Sequence, residues 1–246
     1  MQRPSLAVLA VAALAVLAGC GGGGDAGTPT PVYETPLDSD TVLDAHNDAV
    51  REAGSFTYVQ QVQFAGVIGN QSNRLTATVD LADQRGRIAV NSTIGGVQRI
   101  YVTADEGYVQ RVGPNETTYQ VASEDSRNLA QYVRPSFGTL LSGTDFQYNG
   151  TVERDGREVF VYQASGVESA DASVLRLQSL TKQNATAFES TVLVRPSGVI
   201  EAVDFHAEYE TGGQVSIYDV QVRYRGVGAT SVSAPDWLEA ARNATA

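Results

Sequence analysis

From Phe56 onward the chain alternates apolar and polar residues with a period of two, and turn-forming clusters interrupt it at regular intervals. Phe56, Tyr58, Val62 and Phe64 point one way, against Thr57, Gln61 and Gln63. Leu75, Ala77, Val79 and Leu81 repeat the pattern against Thr76, Thr78 and Asp80. A period of two places alternate side chains on opposite faces, which is the mark of antiparallel strands with one wetter face. Gly69 to Asn73, Asp83 to Gly86 and Gly113 to Asn115 read as turns, with further strands near 87–94, 97–104, 107–112 and 116–122. A hairpin follows over 145–154 and 157–165, turned by Arg154-Asp155-Gly156. Strands near 187–195, 199–210 and 213–226 complete the set, the first two joined by Arg195-Pro196-Ser197-Gly198. The sum is eleven strands, so the expected fold is mainly β (α+β), with one large curved antiparallel sheet covered by two or three helices. In the last strand the apolar phase changes from Val215/Ile217 to Tyr218/Val220/Val222/Tyr224, which predicts a β-bulge.

Helical spacing appears in four places. Thr41 to Ala53 carries Val42, His46, Ala49, Val50 and Ala53 on one face, with Ser39 or Asp40 as cap and Gly54 as terminator. A second segment after Ser123 carries Leu129, Val133, Phe137, Leu140 and Leu141, broken at Pro135. A third, Asp171 to Gln183, turns Val174, Leu177 and Leu180 inward. Pro235 opens a short last helix with Trp237 and Leu238.

The N-terminus has a different character. Arg3 is the only charge before an unbroken Leu/Ala/Val run from Leu6 to Leu17, too short for a permanent membrane span. Leu17-Ala18-Gly19-Cys20 follows, and it resembles the lipobox of bacterial and archaeal lipoproteins. That resemblance implies a lipid on the Cys20 thiol and anchoring to the outer face of the cell membrane. The absence of Arg-Arg before the apolar run points to export by the general secretory route. Residues 1–19 thus read as signal peptide, 20–37 as lipidated cysteine plus a flexible Gly/Thr/Pro linker, and 38–246 as one β-rich domain. Cys20 is the sole cysteine, so the domain has no disulfide, two-cysteine metal site or thiol nucleophile.

The formal charge of -11 becomes -12 once Arg3 leaves with the signal, and Lys182 is the only lysine. An acidic, lysine-poor surface resembles proteins of halophilic archaea, and it lacks the basic stripe that nucleic acid requires. Asn70, Asn91, Asn115, Asn149, Asn184 and Asn243 each open an Asn-x-Ser/Thr acceptor motif. With 9 asparagines and 38 Ser plus Thr in 246 residues, chance gives about 1.4 such motifs (9 × 38/246) against the 6 present. They read as candidate N-glycan sites, Asn70 and Asn115 in turns.

A lipobox, a linker, an amphipathic helix and a long meander interrupted by helices together resemble the LolA/LppX-type lipoproteins. The resemblance covers roughly residues 38–235 and rests on the order of elements. It implies a half-barrel of about eleven strands whose concave side holds acyl chains. A strongly curved sheet cannot fill its own hollow, so helices plug it or an apolar cavity remains. Candidate lining residues are Phe56, Tyr58, Phe64, Leu75, Val79, Val203, Phe205 and Tyr209, with Leu140 and Leu177 on the covering segments. The alternative is that the same side chains form solid core.

Signatures of chemistry are missing. There is no Gly-x-Ser-x-Gly elbow, phosphate loop or His-Glu-x-x-His. His46 reads as a buried, hydrogen-bonded core residue. Asp204, His206 and Glu208 share one strand face, which for an acidic protein reads as a solvated face rather than a metal site, because three ligands along one strand converge poorly. No cofactor is expected. Three classes stay open: a binding module for a hydrophobic, lipid-like molecule; a structural surface glycoprotein with a filled core; and, well behind, a surface enzyme with an unrecognised site.

Overall fold

A computed structural model describes residues 30–66, 69–134, 137–177 and 180–246. The leader, the lipobox residues Leu17, Ala18, Gly19 and Cys20, and the Pro135 break lie outside the described residues. Helix α1 (Ser39–Ala53) leads into β1 (Ser55–Gly66), β2 (Gly69–Asp80), β3 (Arg85–Ser92), β4 (Gly96–Val102), β5 (Gly107–Val112) and β6 (Thr117–Val121). A short α2 (Glu124–Arg127), a 3-10 turn (Leu129–Tyr132) and α3 (Gly138–Ser142) follow. Then come β7 (Gln147–Arg154), β8 (Arg157–Ser165), β9 (Ala185–Val194), β10 (Ile200–Thr211), β11 (Gln214–Arg225) and α4 (Leu238–Thr245).

All eleven strands form one antiparallel sheet in the order β6-β5-β4-β3-β2-β1-β11-β10-β9-β8-β7. It is the open, curled half-barrel expected from the sequence. Every neighbour is a sequential hairpin except β1 with β11, which joins two meanders side by side. That pairing has a topological consequence. The chain leaves β6 at one edge and must re-enter at β7, the opposite edge. It crosses the hollow to do so, and the crossing segment, residues 122–146, becomes the plug.

Local chemistry accounts for the turns and for α1. Asp155 and Gly156 both take positive φ (50° and 73°), as a two-residue hairpin between right-twisted strands requires. Gly54 ends α1 in the left-handed conformation, its N–H donating to the Arg51 carbonyl. The N-cap is Asp38 rather than Ser39 or Asp40. Its carboxylate accepts the Thr41 N–H at 2.7 Å, and hydrogen bonding from the Thr41 side chain, then from its N–H, holds the carboxyl below the usual carboxylate range.

Two other expectations are corrected. Among the described residues of the segment 171–183 there is no α-helix, only a 3-10 turn that begins at Lys182. The Asp171 carboxylate accepts the Ser173 and Val174 N–H groups (2.8 and 3.1 Å) as an N-cap would, but only one turn follows, because the Tyr209 hydroxyl donates to the Leu175 carbonyl (3.2 Å), which a continuing helix would need. Leu177 and Leu180 then exchange backbone hydrogen bonds and reverse the chain. Nor does β11 carry a bulge, since its register runs unbroken against both β1 and β10. Ser216, Tyr218, Val220, Val222 and Tyr224 keep one inward phase, while Val215 and Ile217 belong to the convex face. Register shifts occur instead between Ile200 and Ala202, between Glu208 and Tyr209, and between Tyr148 and Thr151.

The main core fills the upper hollow, the end where β1 starts and β2 finishes. There Val42, Val50 and His46 of α1 and Val133 of the crossing segment pack onto Phe56, Tyr58 and Tyr224. Tyr224 collects the contacts. Its ring meets His46 edge-on at 4.5 Å and Tyr58 at 5.2 Å, and its hydroxyl donates to the Tyr132 carbonyl at 2.9 Å. Tyr33, at the end of the linker segment, is locked to the sheet. Its N–H donates to the Tyr162 hydroxyl (2.8 Å), which donates back to the Tyr33 carbonyl (3.0 Å). Helix α4 packs outside, on the convex face, where Leu238 meets Tyr101 and Val232 and Arg242 pairs with Glu106.

Candidate functional site

The lower hollow, toward the β1–β2, β3–β4 and β10–β11 hairpin ends, is not filled. Residues 122–146 pass over the upper half only. Below them a cleft of about 690 Å³ opens at the hairpin ends. Its floor is Val62 and Phe64 of β1 with Ser216 and Tyr218 of β11, and Gln71 and Asn73 of β2 continue it sideways. Ser92, Thr93 and Ile94 of the β3–β4 turn form one lip and Thr211 another. Leu177, Leu180 and Asn184 form the roof. None of these lining side chains is charged, although the chain carries -11 overall.

A second cavity of about 350 Å³ lies deeper, between the sheet and the covering segments. Val203 and Phe205 of β10, Val220 and Val222 of β11, and Tyr58 and Gln60 of β1 form its floor. Phe137, Thr139 and Leu140 of the crossing segment and Val174 cover it, and exposed Arg176 stands at its edge. Leu177 and Tyr218 line both spaces, so they are the partition between them. Both volumes fall in the range of roughly 300–1,000 Å³ typical of small-molecule sites. The depth of the site also shows in its phenols. Burial, then the neighbouring Tyr132, pushes the Tyr58 hydroxyl up to about 12, and burial likewise raises Tyr218.

Of the ten lining residues expected from sequence, Tyr58, Phe64, Leu140, Leu177, Val203 and Phe205 face one or both cavities. The other four do not. Phe56 and Val79 are wholly buried under α1 and the crossing segment, Tyr209 is held down by its bond to Leu175, and Leu75 packs at the margin of the main core. For Phe56 and Val79 the reason is the unequal plug, which packs solidly against the start of β1 and the end of β2. Sequence reasoning missed Tyr218, Val220, Val222 and Ser216. Their period-two spacing was visible, but it was read as a change of phase.

The convex-face trio separates. Asp204 pairs with Arg223 (2.6 Å), whereas His206 sits between Asp219 (2.7 Å) and Glu208 (3.5 Å). Partial burial lowers the His206 pKa, but the hydrogen bond and charge of Asp219, helped by Glu208, outweigh it and leave it above the ordinary value. Among the described residues no group of His, Cys, Asp or Glu is arranged to hold a metal ion. Of the acceptor asparagines, Asn70, Asn91, Asn115, Asn149 and Asn243 are exposed, Asn70 within β2 rather than in a turn. Asn184 is half-buried in the cleft roof and accepts the Thr181 hydroxyl at 3.1 Å. Among the described residues no helix is long and apolar enough to cross a membrane.

Among solved structures, the chain is similar to the lipoprotein LppX of Mycobacterium tuberculosis, with 16% identity and a TM-score of 0.41 over 80% of this chain and 98% of that one. It is also similar to LprF of Mycobacterium bovis, with 13% identity and a TM-score of 0.39 over 85% and 99%. A LolA superfamily protein of Nitrosomonas europaea gives 12% identity and a TM-score of 0.27 over 81% and 96%. No curated protein matches the sequence. Residues 5–241 match the model of a family, and the chain belongs to it: the family of unknown function DUF7537.

Proposed function

We propose that this chain is an exported lipoprotein, anchored through a lipid on Cys20, whose cleft holds a hydrophobic, lipid-like molecule. The observation that carries this reading is the unfilled lower hollow: an uncharged cleft open at one end and separated only by Leu177 and Tyr218 from a deeper, mostly apolar cavity. An apolar chain entering there leaves water for a largely preformed wall, at about 25 cal/mol per Å² of apolar surface buried. The neutral amides and hydroxyls at the mouth, Gln71, Asn73, Thr93 and Thr211, suit an uncharged polar end. No reacting constellation accompanies the cleft, and the role is holding or passing a molecule rather than transforming it. The exposed acceptor asparagines support a glycosylated outer surface.

Two measurements test this. Native mass spectrometry of the protein released from its own membrane should find a co-purified lipid. The fluorescent apolar probe N-phenyl-1-naphthylamine should brighten on binding the wild type, and Leu177→Trp, which fills the partition, should weaken that binding roughly tenfold through steric exclusion. Protein that carries no lipid and takes up no probe would leave the structural alternative, a scaffold with an empty furrow.

A further inference from the structure

We infer that the open end of the half-barrel is a membrane-docking surface, seated on the outer face of a lipid bilayer so that the cleft opens directly into lipid. Its purpose rests on the cleft reading above. Its existence rests on a separate observation, the distribution of charge. Residues 53–73, 88–98 and 211–218 contain no Asp, Glu, Lys or Arg, although 18% of the chain is charged. At that frequency these forty residues would carry about seven charges.

The three stretches are remote in sequence, and the fold gathers them. They include the free ends of the β1–β2, β3–β4 and β10–β11 hairpins, and Phe64, Thr93 and Thr211 from them line one mouth. The charges at this end, Glu116 of the β5–β6 turn and Glu168 and Asp171 after β8, stand on its flanks. The turns at the other end carry Asp83, Asp105, Asp155 and Arg157. Of the four large apolar side chains most exposed among the described residues, two stand on these uncharged hairpins. Ile94 is 75% exposed at the tip of β3–β4, and Val215 is 52% exposed at the start of β11.

Charged side chains lose hydration at a bilayer surface, so an acidic protein approaches lipid most easily through a region without them. Here Thr93, Thr211 and Gln71 can bond to headgroups while Ile94 and Val215 reach the acyl boundary. So small an apolar area binds weakly, and a tether that keeps the domain at the surface makes weak docking sufficient. The tether is long enough. Tyr33 is held at Tyr162, which aligns through Val192 with Val203, eight residues and so about 26 Å from Thr211 along β10. The thirteen residues from Cys20 to Tyr33 extend to at most about 43 Å. A lipid on Cys20 and the open end can therefore meet the same bilayer.

The sole natural cysteine is the one read as lipidated, so an introduced cysteine provides a unique thiol. Ile94→Cys and Val121→Cys, the latter 61% exposed on β6 away from the cleft, are each labelled with a nitrobenzoxadiazole dye. The lipidated full chain is then reconstituted in phosphatidylcholine vesicles containing phosphatidylcholine spin-labelled on its acyl chain. The dye at position 94 should be quenched several-fold more than the dye at 121. In addition, Val215→Asp, exposed on the convex face and outside the cleft lining, should slow transfer of N-phenyl-1-naphthylamine from vesicle to protein by roughly fivefold, with uptake from solution unchanged. Equal quenching at the two positions, or unaltered transfer in Val215→Asp, overturns the docking surface. A protein that takes up probe from solution without quenching at 94 keeps the cleft and loses the docking surface. Quenching at 94 without any probe uptake does the reverse.

Discussion

His46 Nδ1 accepts the backbone N–H of Ile200 at 3.0 Å, joining the middle of α1 to the first residue of β10 across 154 positions of sequence. The ring is wholly buried and lies edge-on to Tyr224. An acceptor nitrogen must be unprotonated, so the imidazole at this junction is neutral. Burial pushes its pKa down to about 4, against a smaller upward pull from the Val133 backbone.

That histidine makes stability depend on pH. In the unfolded chain His46 protonates near 6.5, whereas the folded protein resists protonation until about 4. The unfolded state therefore binds more protons between those values, and stability falls as the pH drops through that window while staying level above it. The loss is about 2 kcal/mol at pH 5 and about 3 kcal/mol by pH 4. Urea unfolding of wild type and His46→Gln across pH 4–7 measures it. The variant should be less stable at pH 7 and should lack this component of the slope. Parallel curves for the two proteins would contradict the assignment.

Gly86 is required by the crossing segment. A Cβ there would overlap the δ-methyls of Leu129 and come within 3.2 Å of Val102 Cγ2. Gly86→Ala should thus destabilise by about 1–3 kcal/mol through overpacking. Gly86→Ala combined with Leu129→Ala should cost less than the two single changes added together, because the methyls in conflict are gone. Thermal unfolding of the single and double variants decides it, and a Gly86→Ala protein as stable as wild type would mean that the plug sits less tightly on β3 and β4 than the packing requires.

Tyr218 separates the two cavities, with its ring at 5.8 Å from Phe205. Tyr218→Ala should merge them into one longer space and shift chain-length preference. Competition against N-phenyl-1-naphthylamine with straight-chain alcohols of increasing length should show long chains gaining affinity relative to short ones. The added burial is worth about 0.8 kcal/mol per methylene newly accommodated. Equal gains at all lengths would mean that the cavities remain separate.

Much of the sheet was legible because its causes are local. The alternation of Phe56, Tyr58, Val62 and Phe64 places those side chains on one face wherever the strand sits, and Asp155-Gly156 dictates a tight hairpin without help from distant residues. The same holds for α1, whose apolar stripe and Gly54 stop are contained in fifteen residues. The segment 171–183 shows the limit. It has helical spacing and a cap at Asp171, yet the distant Tyr209 takes the Leu175 carbonyl that a helix would use. A bond across 34 residues leaves no trace in a spacing pattern.

The site was legible only as a face. Sequence identified residues that point into the hollow, but Phe56 and Phe64 alternate identically along β1, and nothing in their spacing tells filled core from open cleft. The tertiary structure decided that. Pairing β1 with β11 put β6 and β7 at opposite edges, and the connection between them had to cross the concave side. It crosses at the end where His46, Val133 and Tyr224 meet, so the upper half packs solid and the lower half stays open. Strand number, turn chemistry and the direction of each side chain follow from neighbours along the chain. Which part of the hollow remains empty follows from contacts between residues many tens of positions apart.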